Sequence, residues 1–343
     1  MNRVDVIIPT YKPDEKFLAL VERLEKQTVK PERIMVTNTE QKYYDRLIYG
    51  SHFQDEYKNL TVYHISKREF DHGRTRHTAM KRADGEFVLL MTQDAVPADD
   101  KLIEYLLSAF EDEAVAVAYA RQLPSKDSGV IESYTRAFNY PEESMVKSAE
   151  DIERLGVKTY FCSNVCAMYR KSAYEELGGF VRHTIFNEDM IFAAEAIKSG
   201  HKIAYKAEAR VIHSHNYTNM EQLKRNFDMG VSQADHPEIF AGVSSGKEGK
   251  KLVKQTAEYL RKSGNRRLII SLYLQSGCKL AGYLLGKNYK KLPKKLVGHL
   301  TSNKAFWDND NRIRESTRID ATKGYGKTEE ELKMREHKMG EPK

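Results

Sequence analysis

The chain has 343 residues, of which 40% are hydrophobic and 31% charged, with three cysteines and a formal net charge of +7. This balance suits a soluble globular protein of one large or two smaller domains, and it excludes a low-complexity chain or a disulfide-stapled scaffold. The charge is uneven: residues 247–304 hold 15 Lys and Arg against 2 Asp and Glu, so the rest is mildly acidic, which argues for a local basic docking surface and against a nucleic-acid-coating body.

The opening segment MNRVDVIIPT has one short apolar run and no signal-peptide core. No stretch reads as the ~20 apolar residues of a membrane span, so a cytoplasmic protein is expected. Residues 4–9 (VDVIIP) predict a first strand, and residues 17–27 a helix with its apolar stripe at 17, 18, 20, 21 and 24. Residues 33–37 and 60–65 predict the next two strands. A basic helix over 74–83 leads to a turn at Asp84-Gly85, and the continuous apolar run FVLLM at 87–91 predicts a buried fourth strand. Strands alternating with helices at this spacing imply βαβ units, with a mostly parallel sheet and helices on both faces. Neither GxGxxG nor GxxxxGK[ST] occurs, which excludes the two common phosphate loops.

Further along, residues 102–110 predict a helix, 114–119 a strand, and 125–155 a polar insertion containing a helix. Residues 165–169 predict a strand, followed by a helix over 172–177 with a Gly178-Gly179 stop. A helix opens at Asn187-Glu188-Asp189 and runs to Lys198. Residues 202–205 and 209–212 predict two short strands, the second delivering His213-Ser214-His215. Beyond residue 219 the pattern turns helical. Residues 268–285 read as a pair of apolar helices broken at Ser276-Gly277 and flanked by Arg266-Arg267 and a lysine-rich stretch over 287–295. The expected domains are a catalytic unit at 1–219, a basic helical region at 220–306, and a charged, poorly ordered tail at 307–343.

Ligands of open α/β sheets sit at the carboxyl ends of strands, which singles out Asp94 after the fourth strand. Three segments in this order, VIIPTYK, RHTAMKRADGEFVLLMTQDAVP and VCAMYRKSAYEELGGF followed by NEDM, resemble the family 2 glycosyltransferases of GT-A fold. The TQDA form, the HSH element and the YLLGKNYKKLPKKL stretch are similar to bacterial rhamnosyltransferases of cell-surface polysaccharide synthesis. The family's Asp-x-Asp reads Thr92-Gln93-Asp94 here, so its first acid is missing.

The resemblance implies an inverting transfer of sugar, with rhamnose from dTDP-rhamnose as the expected donor, to a lipid-linked glycan. It implies Asp189, with Glu188, as the catalytic acid pair. It further implies Pro9, Thr10, Tyr11, Asn38, Asp71, Arg76, Gln93 and Asp94 around the donor nucleotide. Mg²⁺ or Mn²⁺ would be held by Asp94 and His213, with His215 as a further candidate. Each residue has a plainer use as well. Asp94 would cap a helix, Glu188-Asp189 would answer a helix dipole, and the histidines would end a strand. The basic region suits an anionic inner-leaflet membrane surface or a homodimer contact. Two other functions fit parts of the pattern: a sugar-nucleotide nucleotidyltransferase, and a polyanion or nucleic-acid binder acting through the basic region. The first lacks its Gly-rich loop in VIIPTYKPDE.

Overall fold

The structure is a computed structural model that describes residues 3–241 and 246–308. One compact unit ends at Ser302, and a second begins at Asn303. The tail expected from residue 307 lies, from residue 309 on, outside the described residues.

Among the described residues, nine strands form one mixed sheet: β1 (Val4–Tyr11), β2 (Arg33–Thr39), β3 (Leu60–Ile65), β4 (Phe87–Met91), β5 (Val96–Pro97), β6 (Val115–Leu123), β7 (Met145–Lys147), β8 (Cys166–Arg170) and β9 (Lys202–Ile212). Their spatial order is β3-β2-β1-β4-β8-β6-β9-β5, with β7 added on β9. The β3-β2-β1-β4 half is parallel throughout, as the alternating pattern predicts. Beyond β4 the sheet becomes mixed, because β8 runs antiparallel between β4 and β6 while β9 is parallel to β6.

The apolar runs explain the layers. All five residues of β4 are buried, so this strand is covered on both faces. One face is packed by Phe17, Leu20, Val21 and Leu24 of the Glu15–Glu25 helix and by Leu102, Ile103 and Leu106. The other face meets Met80, Tyr174, Phe192 and Ile197. At the amino end of the sheet, buried Asp5 pairs with Arg33 at 2.6 Å and accepts from the backbone N–H groups of Asp84 and Gly85 at 2.8 and 2.9 Å. A Cβ at Gly85 would stand 2.9 Å from the Asp5 nitrogen, which is why the turn into β4 needs glycine.

Two expectations change. Residues 202–212 form one strand with a bulge: Ala120 of β6 faces Lys206, but Arg121 faces Arg210. The bulge absorbs the residues that interrupt the apolar pattern, and the strand continues to the histidines. The second change concerns residues 268–285, which do not break. Leu268–Lys287 is one 20-residue helix, long and apolar enough to cross a membrane by length and composition, with 11% of its apolar window buried. Ser276 keeps its hydroxyl on the Leu272 carbonyl at 2.7 Å, and a single helical glycine costs only about 1 kcal/mol. Packing easily exceeds that cost. A Cβ at Gly282 would lie 2.1 Å from the Leu223 carbonyl oxygen, and one at Gly286 2.1 Å from that of Phe227, so both glycines press backbone to backbone on the Asn219–Asp235 helix. The opposite face exposes Ile270, Tyr273, Leu274, Leu280 and Leu284.

Candidate active site

Asp94 sits in the tight turn between β4 and β5, with its side chain 20% exposed. The end of β9 brings two imidazoles to it. His213 Nε2 lies 3.6 Å from Asp94 Oδ1, and His215 Nε2 lies 3.2 Å from Asp94 Oδ2. The two Nε2 atoms are 3.0 Å apart, and one donor atom from each of the three residues fits within 4.8 Å. The segment is pinned from both sides: the His213 N–H donates to the Leu123 carbonyl at 2.9 Å, and Ser214 Oγ accepts from the Ser125 N–H at 3.0 Å. Burial pushes the pKa of His213 down to about 3, against the pull of Asp94, and burial likewise lowers that of His215. Both rings are therefore neutral at ordinary pH. A carboxylate with two neutral imidazoles is a donor set that fits a divalent cation.

The second centre opens the Glu188–Lys198 helix. Its N-cap, Asn187, adopts a left-handed conformation at φ 64°, which turns Glu188 and Asp189 toward the start of β8. There Asn164 serves both acids. Its backbone N–H donates to Asp189 Oδ2 at 2.9 Å, and its side-chain amide donates to Glu188 Oε1 at 3.1 Å. Tyr169 in turn donates to Asn164 Oδ1 at 2.7 Å. Burial, and then the charge of Glu188, raise the pKa of Asp189 to about 7, offset in part by the N–H groups of Asn164 and Met190 and by Arg76. A carboxylate poised there can both accept and release a proton near neutral pH.

The residues expected around a nucleotide divide into two groups. Tyr11 is exposed at the end of β1, edge-on to Tyr43 at 5.6 Å, with the Lys12 ammonium over both rings. Gln93 ties this end to the Asp94 turn, its amide exchanging two hydrogen bonds with the Tyr11 backbone at 2.8 and 3.2 Å. Pro9 is half-buried in β1 opposite Thr37. Thr10 and Asn38 are buried, and their polar atoms are spent inside the sheet: Thr10 Oγ1 donates to Asn38 Oδ1 at 3.0 Å, and Asn38 Nδ2 meets His64 Nδ1 at 3.1 Å. Asp71 is the N-cap of the His72–Arg82 helix, accepting from the Gly73 and Arg74 N–H groups, and it also bonds His183 at 2.9 Å. That cap explains why the helix starts two residues before the expected boundary. Arg76 turns inward, with its Nε 3.3 Å from Glu188 Oε1 and its Nη1 donating to the His72 carbonyl at 3.1 Å.

Several site residues were not legible in the sequence. Asn164 precedes a strand with no motif of its own. Gln122 lies past the expected end of β6. Arg225, on the Asn219–Asp235 helix, stacks its guanidinium over Tyr217 at 4.7 Å and Phe186 at 5.5 Å. Tyr217 is itself stacked on His215 at 4.9 Å, and Phe186 immediately precedes the Asn187-Glu188-Asp189 turn. Arg225 thus stands between the two centres, and no carboxylate lies within ion-pair distance of it among the described residues.

The likeness of this chain to known proteins lies in its family and its fold. The profile of Glycosyl transferase family 2 matches residues 5–178. The O-antigen chain rhamnosyltransferase RfbN of Salmonella typhimurium is 39% identical over 311 residues, covering 90% of this chain and 96% of the relative. The O-antigen chain rhamnosyltransferase WbaN of Salmonella anatum is 38% identical over 314 residues, covering 90% and 97%. Among solved structures, the mannosyltransferase PcManGT of Pyrobaculum calidifontis, in complex with GDP-Man and Mn²⁺, superposes with a TM-score of 0.51 over 90% of this chain and 85% of its own, at 14% identity, a likeness of fold. The chain belongs to glycosyl transferase family 2 and is a glycosyltransferase.

Proposed function

We propose that the protein transfers rhamnose, with inversion, from dTDP-rhamnose to a hydroxyl of a growing lipid-linked cell-surface glycan. The observation that carries the chemistry is the pairing of a proton-accepting Asp189 with a separate Asp94–His213–His215 cluster, joined across the site by Arg225. The rhamnosyl assignment is supported by the two Salmonella relatives.

In this reading Asp189 takes the proton of the acceptor hydroxyl as its oxygen bonds to the anomeric carbon. The bond from that carbon to the diphosphate oxygen breaks on the opposite face. Tyr11 offers a flat aromatic surface for the base. Asp94, His213 and His215 would hold Mn²⁺, which supplies Lewis-acid neutralisation of the departing diphosphate. Arg225, stacked on Tyr217 beside His215, would add a positive charge toward the diphosphate and offset the weaker cation hold that follows from Thr92 in place of an acid. Asn164 and Arg76 hold the acid pair in place.

The helix Leu268–Lys287 offers a docking element: one exposed apolar stripe, with Arg266 and Arg267 at one end and Lys291, Lys294 and Lys295 at the other. We infer that it lies on the anionic inner face of the plasma membrane, where a lipid-linked acceptor is presented. Its inner face is occupied by the Asn219–Asp235 helix, and Lys279 feels the charges of Glu132 and Arg136, which favours lying on a bilayer over crossing it. The decisive test is turnover with a panel of nucleotide sugars and Mn²⁺. Rhamnosyl transfer that falls by about 10²-fold or more in Asp189→Asn, with donor binding intact, is the expected result. Transfer from another donor only would refute the rhamnosyl assignment.

A further inference from the structure

Behind His213 lies a hydrogen-bonded chain that the reaction itself does not use. Gln122, 2% exposed in β6, places its Oε1 3.0 Å from His213 Nδ1. The same oxygen accepts from Arg136 Nη1, on the Val130–Asn139 helix. The amide nitrogen of Gln122 donates to the Tyr140 hydroxyl at 2.6 Å and to Ser163 Oγ at 3.1 Å. Arg136 is held in turn by Glu132 Oε1, which accepts from its Nε at 3.1 Å and its Nη2 at 2.6 Å.

The chemistry of these groups leaves one consistent assignment of protons. A guanidinium can only donate, so the Gln122 amide must turn its oxygen toward Arg136. That oxygen also faces His213 Nδ1 and can only accept, so Nδ1 must carry the imidazole proton. The lone pair of His213 is thereby left on Nε2, the atom facing Asp94 and His215. The reverse tautomer would set two lone pairs against each other at 3.0 Å inside a buried site. His215 differs: no hydrogen bond fixes its Nδ1 among the described residues, so its ring can move its proton to Nδ1 when its Nε2 is needed.

We propose that Gln122, oriented by the Glu132–Arg136 pair, is a positioning residue that locks His213 in the Nδ1–H tautomer and so presets its Nε2 as a ligand for the divalent cation. This rests on the cation reading above. Outer partners of metal-bound histidines commonly act this way, and their loss weakens metal affinity by about 10–100-fold.

The test uses full-length protein. With ¹⁵N-labelled histidine and no metal, long-range ¹H–¹⁵N correlation should show His213 protonated at Nδ1 and bare at Nε2. In Arg136→Met the amide is free to turn its NH₂ toward His213, and the Nδ1 proton should be lost or exchange between sites. Calorimetric titration with Mn²⁺ should show affinity lowered about 10–100-fold in Gln122→Leu and lowered in Arg136→Met, but near wild type in Gln122→Glu, which keeps an acceptor on Nδ1. Gln122→Leu strands the Tyr140 and Ser163 hydroxyls, so Arg136→Met carries the test if that variant fails to fold. A wild-type His213 protonated at Nε2 overturns the inference, as does a tautomer unmoved in Arg136→Met. Wild-type protein that binds no Mn²⁺ yet shows the Nδ1–H form refutes the cation reading and leaves the lock itself confirmed.

Discussion

Arg76 and Glu188 form a buried ion pair at 3.3 Å, adjacent in sequence to the carboxylate that would take the acceptor proton. The arrangement sets how strongly Glu188 acts on Asp189, whose pKa burial and that neighbouring charge raise from 3.8 to about 7.

The rate of transfer should therefore rise with pH and level off above about 7, as Asp189 loses its proton. Glu188→Gln removes a negative charge and should move the midpoint to lower pH. Arg76→Met leaves Glu188 unpaired, so the midpoint should rise and the protein should lose about 3–5 kcal/mol of stability. Profiles of kcat/KM against pH and denaturant unfolding measure both. A midpoint unmoved in Glu188→Gln would show that Asp189 does not set the profile. The stability linkage has the opposite sign to an ordinary salt-bridged acid. The folded protein holds this proton more tightly than the unfolded chain, so the contribution is present below pH 3.8 and lost as pH rises through about 7. Asp189→Asn should flatten that fall.

Removing any of the three converging ligands should weaken Mn²⁺ binding without unfolding the chain. Asp94→Ala, His213→Ala and His215→Ala are expected to lose at least about tenfold in affinity each, and chelator should stop transfer in the wild type. Turnover indifferent to chelator would leave charge control to Arg225 and its neighbours.

Arg225→Met should reduce transfer by about 10²-fold, the scale of losing one preorganised charge at a leaving group. Its structural cost should be modest, since stacking on these half-buried rings contributes about 1–2 kcal/mol. Arg225→Lys should recover part of the rate. Loss confined to stability, with kcat unchanged, would place Arg225 outside the reaction.

Co-sedimentation with vesicles of anionic lipid tests the Leu268–Lys287 helix. Lys291→Gln, Lys294→Gln and Lys295→Gln together should release the protein, since each cation near such a surface contributes about 1 kcal/mol. Lys290 is a poorer choice because it already pairs with Asp235 at 3.2 Å. Leu274→Ser with Leu284→Ser should also weaken binding, whereas transfer to a short soluble acceptor should persist. Vesicle binding unaffected by either set, with a concentration-dependent dimer, would identify the stripe as a subunit contact.

Sequence alone determined the parallel half of the sheet, because FVLLM is buried throughout and leaves a continuous apolar run, and Val6-Ile7-Ile8 do the same within the first strand. It also marked Asp94, Asp189 and the HSH element as candidate site residues, because motif order survives where each motif is short. The tertiary structure decided which of the expected side chains converge and which turn inward. Asn38, Asp71 and Arg76 stand at expected positions, but Asn38 and Arg76 turn inward and Asp71 caps a helix, since their polar groups find partners only there. It alone supplied Asn164, Gln122, Arg136 and Arg225, which reach the site through contacts between distant segments: Gln122 lies 91 residues from His213, and the Asn164 amide crosses 24 residues to Glu188. It also kept Leu268–Lys287 whole, because the local cost of Gly277 is small and independent of neighbours, whereas the close backbone packing at Gly282 and Gly286 exists only once the Asn219–Asp235 helix is in place.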